Sequence, residues 1–388
     1  MKRLHPLSFT IVVSIALICV VLSIGVFFAL GELRLRTLEA NVEQLHTETL
    51  RATSTAMFPP VISIPSTDAQ PTPILSTDFT QQLSPVARVV EHEAADTATQ
   101  DPAVLNDRIV GNAVSVTSDG WLISVDPVFS QNGAENFEIA WAGRTYPIQK
   151  IIRDHFTHAI FLKIAAQHLP SASLLPSDMA IAGMSAWIEP VAQRFLPTTV
   201  VDTRPESFNT RFSSDEADRR FLLPERVSQN EFGAPVWNRD GALIGLVESF
   251  DGSYASVLPA GNMSAGLQQI LNTGSIHHAS LGVNGFDLSN VIRETGATVL
   301  PRQGFWLHAN QRTSVLSIEK TSPATHLLQE GDVLQNLDND VLDGRVDLGS
   351  HLLEFQPGAM VSLQVVRAGK VLTIPLQLGN QLTSQVLK

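Results

Sequence analysis

The sequence predicts a mainly β protein of two globular units behind an N-terminal apolar helix. Three observations carry that prediction. Residues Ser8 to Leu30 contain no charged side chain. Between about Ser84 and Pro259, short apolar runs alternate with turn residues, the rhythm of an all-β barrel or sandwich. From about Ala279 to Leu378, a second set of strand-like runs surrounds one helical stretch, the pattern of a small α+β unit.

The apolar run is 23 residues long. As a helix it spans about 35 Å at ~1.5 Å per residue, against a hydrocarbon core of ~30 Å. A cleavable signal peptide has a shorter apolar region and a small-residue cleavage site. Residues 8–30 are therefore expected as an uncleaved transmembrane anchor, after a cytoplasmic stretch at 1–7. Lys2 and Arg3 precede the span and Arg34 and Arg36 follow it, so the positive-inside rule is close to balanced. Leu35, Leu38, Val42 and Leu45 then form an a/d-like seam. Residues 31–50 are expected as an amphipathic juxtamembrane helix, with a short parallel coiled coil as the alternative. Residues 51–83 are rich in Pro, Ser and Thr and read as a disordered tether.

Composition narrows the function classes. The chain has 388 residues, 26 Lys and Arg against 38 Asp and Glu, and a net charge of −12. Nucleic-acid binding needs a basic footprint, so that class is excluded. Cys19 is the single cysteine, which leaves no intramolecular disulfide and no cysteine-based zinc site.

In the first globular unit, 84–262, the expected strands include Ala113–Val116, Trp121–Val125, Phe137–Ala142, Ala159–Ile164, Ala234–Trp237 and Leu243–Val247. Ser118-Asp119-Gly120 and Arg239-Asp240-Gly241 punctuate them as turns. Met263–Leu271 reads as a short helix within a linker, 263–277. His277 and His278 at its end read as solvated surface. The second unit is expected at 278–380, with a tail at 381–388.

Three stretches carry a family resemblance. Gly111 to Phe129 holds a Gly opening, an Asp119-Gly120 turn and a strand end at Val128. Asp154-His155-Phe156-Thr157-His158-Ala159-Ile160-Phe161-Leu162-Lys163-Ile164 follows. The third is Asn230-Glu231-Phe232-Gly233-Ala234-Pro235, continued through Asp240-Gly241 to Ile244-Gly245. Together they resemble the active-site segments of HtrA/Deg-type trypsin-like peptidases. The resemblance implies a trypsin-like double β-barrel, and it puts one catalytic position in each stretch. The histidine position is Pro127, the aspartate position His158 and the serine position Phe232. A phenyl ring has no oxygen to attack a carbonyl. Proline accepts no proton, and a histidine is not the fixed anion that orients an imidazolium. In the oxyanion loop Asn230, Glu231, Phe232, the family's glycine is replaced by Asn230. The expectation is a degenerate peptidase with no catalytic residues. The alternative is an active serine-type endopeptidase with relocated residues, built on Ser228 with His155 or His158. Two histidines on a loop are a weak metal signal, so no metal and no cofactor are expected.

The second unit resembles the PDZ domain that follows HtrA peptidases. Ser280-Leu281-Gly282-Val283 is similar to its carboxylate-binding loop, and Thr321-Ser322-Pro323-Ala324 to its turn and helix start. Val315–Ile318 is the strand before that turn, Gly331–Leu342 and Val361–Lys370 are hairpins, and Asp347–Phe355 is the helix lining the groove. The resemblance implies β-augmentation by a peptide C-terminus. Its carboxylate would meet the N–H groups of Leu281, Gly282 and Val283. Leu281, Val283, Leu348 and Leu352 would form the apolar pocket. A purely structural unit, or one docked on its own barrel, is the alternative. The resemblance further implies an envelope protein of the inner membrane with its globular domains on the periplasmic side. Its implied partners are protein C-termini or unfolded envelope proteins, with possible homotrimers or association with active relatives.

Overall fold

The architecture is that of a computed structural model, which describes residues 84–92, 107–129, 136–203, 211–290, 300–309, 315–344, 346–382 and 384–387. The chain divides into two compact units, Met1–Pro71 and Thr72–Lys388. The described residues all belong to the second. The anchor expected at 8–30, the juxtamembrane helix at 31–50 and the tether at 51–83 lie outside them. Among the described residues, no helix is long and apolar enough to cross a membrane.

The first sheet is a closed antiparallel barrel. Its strands are β1 (Val86–Glu91), β2 (Ile109–Ser115), β3 (Trp121–Val125), β4 (Phe137–Trp141), β5 (Arg144–Asp154) and β6 (Ala159–Ile164). They run in the order β5-β4-β1-β2-β3-β6, and β5 also pairs with β6, which closes the ring. Alternation sets the faces: Val89, Ala113, Ile123, Ile139 and Ile151 are fully buried and share one core. Polar partners such as Arg144 and Thr145 stay exposed.

The second sheet uses β7 (Ser185–Val191), β8 (Arg194–Thr199), β10 (Phe221–Leu223), β11 (Pro235–Trp237), β12 (Leu243–Phe250) and β13 (Ala255–Pro259). The intervening β9 (Arg211–Ser213) pairs elsewhere. The order is β10-β13-β12-β11-β7-β8. The stretch after β8 bends back onto β10: Val201 N–H donates to Leu222 O and Leu222 N–H to Asp202 O, each at 2.8 Å. Ile188, Val200, Phe221, Val236 and Val257 fill its core. Between the two sheets lies a buried carboxylate. Glu189 of β7 accepts from Ser84 Oγ at 2.7 Å and from the Trp237 indole at 2.8 Å.

Helix α1 (Ala260–Thr273) contains the expected helical stretch 263–271. Met263, Leu267 and Ile270 recur at helical spacing and join the first barrel's core. The C-terminal unit follows with β14 (His277–Ser280), β15 (Asn284–Asp287), β16 (Phe305–Leu307), β17 (Val333–Leu337), β18 (Asp340–Val341), α2 (Leu348–Leu352), β19 (Met360–Arg367), β20 (Lys370–Gln377), β21 (Gly379–Leu382) and β22 (Ser384–Leu387). Its main sheet runs β20-β19-β17-β16-β15-β9, so β9 from the preceding unit forms one edge. The Asp347 side chain caps α2 by accepting from Ser350 N–H at 2.8 Å.

Three expectations change. Val315–Ile318 is no continuous strand. Ser317 O accepts from Asn284 N–H at 2.8 Å and Leu316 O from the Asn284 amide at 3.2 Å, while Ile318 makes one bridge to Val283. A ladder cannot extend along β15, because both of its edges are taken by β9 and β16. Within the tail expected at 381–388, the described residues 381–382 and 384–387 are strands. β21 pairs with β14, and β22 returns to the first barrel beside β5, Ser384 opposite Asp154. His277 and His278 stand in β14 and not in a linker. His278 is 2% exposed, and its Nε2 lies 2.9 Å from Asp154 Oδ2.

Asp154 is the hub of that junction. Fully buried, it accepts from Phe156 N–H at 3.1 Å and from Thr157 Oγ1 at 2.7 Å, besides meeting His278. Removing one partner of a buried hydrogen-bonded pair strands the other in low dielectric. His278→Ala is expected to cost about 3 kcal/mol, read as a lower urea midpoint with an unchanged m-value. A midpoint equal to wild type would show that Asp154 does not depend on it.

Candidate functional site

The cleft between the barrels is built from two short turns. After β3 the chain enters a 3-10 turn, Asp126–Phe129, which carries Pro127. Before β11 a second 3-10 turn, Gln229–Glu231, leads into Phe232. Asp126, Pro127, Gln229, Asn230 and Phe232 line one cavity of about 770 Å³. Asp126 also pairs with Arg153, Oδ1 to Nε 2.5 Å. The histidine and serine positions of the resemblance thus face a single cleft. His158 is not among the residues lining it. It precedes Ala159, which pairs with Val125 two residues before Pro127, so it stands at the same end of the β3–β6 ladder. With φ +64, its backbone turns and its side chain faces Asp218, Nε2 to Oδ1 3.8 Å.

The loop around Phe232 is fixed by its own backbone. Glu231 N–H donates to Ser228 O at 2.9 Å, Phe232 N–H to Gln229 O at 3.1 Å and Ala234 N–H to Glu231 O at 3.0 Å. The Phe232 carbonyl points back into β2, accepting from Asn112 N–H at 2.7 Å and the Asn112 amide at 3.3 Å. Gly233 has φ +79, and a Cβ there would lie 2.0 Å from Asn112 O, so only glycine fits that approach. The N–H at 232 is one of the two that an oxyanion hole of this kind needs. Here it donates into its own turn. The Ser228 hydroxyl bonds Asn230 Oδ1 at 2.5 Å and Glu231 Oε2 at 2.7 Å, and among the described residues no histidine is one of its partners.

The groove residues of the C-terminal unit also come together. Leu281, Val283, Leu348 and Leu352 are buried and share one core. Their surroundings are not open. Leu281 N–H and Gly282 N–H both donate to Asp215 Oδ1 at 3.0 Å, and Val283 N–H donates to Ser214 Oγ at 3.0 Å. β9 lies antiparallel to β15, with Ser213 opposite Asn284 and Phe212 opposite Gly285. Ser214 N–H extends the ladder to Val283 O at 2.8 Å, and Ala217 is fully buried among the groove's leucines. Sequence reasoning missed residues 211–217. Three strand-like residues followed by Ser and Asp are too short a signal to name a partner far along the chain.

Beside the groove three ligand-bearing side chains gather. One ligand atom each of His158, Glu216 and Asp218 lie within 4.8 Å of one another. Burial raises the carboxyl of Glu216 above the usual range. Asp218, Asp215 and Glu319 add to that, and His158 opposes it. Burial likewise raises Asp218. Arg220 and His158 pull it down, and Asp347 and Glu248 push it up.

No protein-family model matches the chain. It is similar to curated proteins named probable periplasmic serine endoprotease DegP-like. That of Halomonas elongata is 23% identical over 72% of this chain and 58% of its own length. That of Chlamydia pneumoniae is 24% identical over 71% of this chain and 56% of its own. The periplasmic pH-dependent serine endoprotease DegQ of Escherichia coli is 25% identical over 41% of this chain and 36% of its own. The chain spans little more than half the length of the DegP-like relatives. Among solved structures, the HtrA-type protease AlgW with tripeptide has a TM-score of 0.56 at 20% identity, covering 78% of this chain and 96% of that one. AlgW with decapeptide has a TM-score of 0.52 at 19% identity, covering 77% and 95%. At that identity the likeness establishes the fold.

The raised carboxyls of Glu216 and Asp218 carry a pH prediction. A carboxyl whose pKa is higher in the fold than in the unfolded chain adds stability while protonated. That stability is lost as pH rises through the raised pKa. The double variant Glu216→Gln, Asp218→Asn should therefore melt above wild type at pH 8, and the gap should narrow as the pH falls toward the carboxylate range. A wild type that is the more stable protein at pH 8 would contradict this.

Proposed function

We propose that this chain, a member of the HtrA/Deg family of trypsin-like peptidases, is a pseudopeptidase that keeps the fold without the chemistry. The observation that supports this most directly is the cleft itself. Pro127 and Phe232 face it, and the Phe232 N–H is spent on Gln229 O. Neither side chain accepts a proton or donates an electron pair to a carbonyl. Removing triad members costs roughly 10⁴ to 10⁶ in rate, and the remainder depends on an intact oxyanion hole.

On this reading residues 84–262 are a scaffold and residues 278–380 a PDZ domain. The domain takes protein C-termini through Leu281, Gly282, Val283, Leu348 and Leu352. The DegP-like relatives are named as periplasmic. By extension we place this chain's domains on the periplasmic side of the inner membrane, anchored through residues 8–30. It serves envelope protein quality control as a binding partner of unfolded proteins, as a homotrimer or beside active peptidases.

The test is chemical. Full-length protein is incubated with a fluorophosphonate probe and, separately, with casein, with a DegP-like peptidase as positive control. Neither labelling nor cleavage is expected. A labelled serine together with casein fragments would establish the rival reading, an active serine endopeptidase with relocated residues.

A further inference from the structure

The C-terminal groove is filled by the chain itself, and the way it is filled assigns a role to a segment that has none so far. A strand added to β15 and a carboxylate held by Leu281, Gly282 and Val283 are the two halves of C-terminal peptide recognition. Both halves are present in cis. Phe212 and Ser213 supply the added strand. Ser214 N–H meets Val283 O, as the last peptide residue's N–H would. Asp215 Oδ1 takes two of the three loop N–H groups and Ser214 Oγ the third. Ala217 supplies the apolar side chain, buried beside Leu281, Val283, Leu348 and Leu352.

We propose that residues 212–217 are an internal ligand of the groove, with the Asp215 side-chain carboxylate standing where a bound peptide's terminal carboxylate would sit. The inference rests on the peptide-binding reading of that groove and adds a condition to it. The groove takes a peptide with a free C-terminal carboxylate only when this segment leaves. A tethered ligand competes at an effective concentration on the order of millimolar. A groove open in about one molecule in a hundred binds a free peptide about a hundredfold more weakly than its intrinsic affinity.

The fit distinguishes the segment from an incoming peptide at one place. A terminal carboxylate ends the chain, whereas the segment must continue through Glu216. Its carbonyl passes so close to α2 that a Cβ on Gly349 would lie 1.8 Å from Glu216 O. Gly349→Ala therefore obstructs the internal ligand beyond the carboxylate, where a true C-terminus has no atoms. It leaves every hydrogen-bonding group of the groove in place, and alanine is the better helix former. Asp215→Ala removes the carboxylate by a second, independent route.

The probe is a fluorescein-labelled octapeptide, Ser-Phe-Asn-Thr-Arg-Phe-Ser-Val. It copies residues 207–213 and then ends in valine, whose N–H, side chain and carboxylate replace those of Ser214, Ala217 and Asp215. Fluorescence anisotropy is measured on the full-length wild type, Gly349→Ala and Asp215→Ala, each shown folded by thermal unfolding. The peptide should bind both variants at least about tenfold more tightly than wild type, and its C-terminal amide should bind none. Equal affinity for all three proteins would overturn the internal ligand and leave the peptide-binding groove standing. No binding to any of the folded proteins would overturn the groove reading, and the internal ligand with it.

Discussion

The hydrogen bonds along one face of β15 shape much of this molecule. A strand edge and a loop of converging N–H groups cannot be left buried without acceptors. β16 satisfies one side of β15, and the other is satisfied by β9, drawn from the connection between the two ends of the second barrel. That single pairing explains several features at once. Between β8 and β10 in sequence, β9 pairs outside their sheet, along β15. Val201 and Asp202 bond Leu222 at the root of the excursion, and the Arg220 guanidinium bonds Glu248 Oε1 at 3.3 Å beside it. The excursion thus has a fixed base and a tip seated in the groove.

A second set of bonds keeps the groove within reach of that tip. Asp154 gathers Thr157 of the first barrel and His278 of the C-terminal unit on one carboxylate. Phe156 from the same turn packs on His278 with the rings tilted by 41° and their centroids 4.6 Å apart, and its carbonyl accepts from Ala217 N–H at 2.8 Å. β22 pairs with β5 opposite Asp154 itself. The turn that carries the aspartate position of the peptidase resemblance therefore serves as a structural joint. Its residues 154–158 touch the barrel, the C-terminal strands and the inserted segment.

Much of this was legible in the sequence, and the division is physical. The barrel strands show because short apolar runs stand between turn residues, as in Trp121–Val125 and Ala159–Ile164, which are buried almost throughout. Pro127 and Phe232 show because their neighbours keep a pattern whose chemistry demands other side chains. What stayed hidden depends on partners distant in sequence. Nothing local in Phe212-Ser213-Ser214-Asp215 says that residue 284 will pair with residue 213. Val315–Ile318 has the composition of a strand, yet it forms only bridges because β15 has no edge left to offer. His278 reads as surface in isolation and is buried because Asp154 waits for it.

The N–H groups of residue 232 and of residues 281–283 are both satisfied from within the chain, in different ways. At the cleft, the N–H of residue 232 is satisfied by Gln229 O, three residues back, inside a turn that Ser228 caps and Asn112 anchors. Phe232 packs against both barrel cores. Its partial burial contributes on the order of 1 kcal/mol, which holds that turn shut. Opening it means unwinding the turn against contiguous bonds. At the groove, the N–H groups of residues 281–283 are satisfied by side chains from about 70 residues away, at a half-exposed Asp215 whose bonds a free carboxylate can replace one for one. A closure built from local backbone bonds opens only when those bonds unwind together. One built from a tethered side chain is an equilibrium, and equilibria are what a ligand can shift.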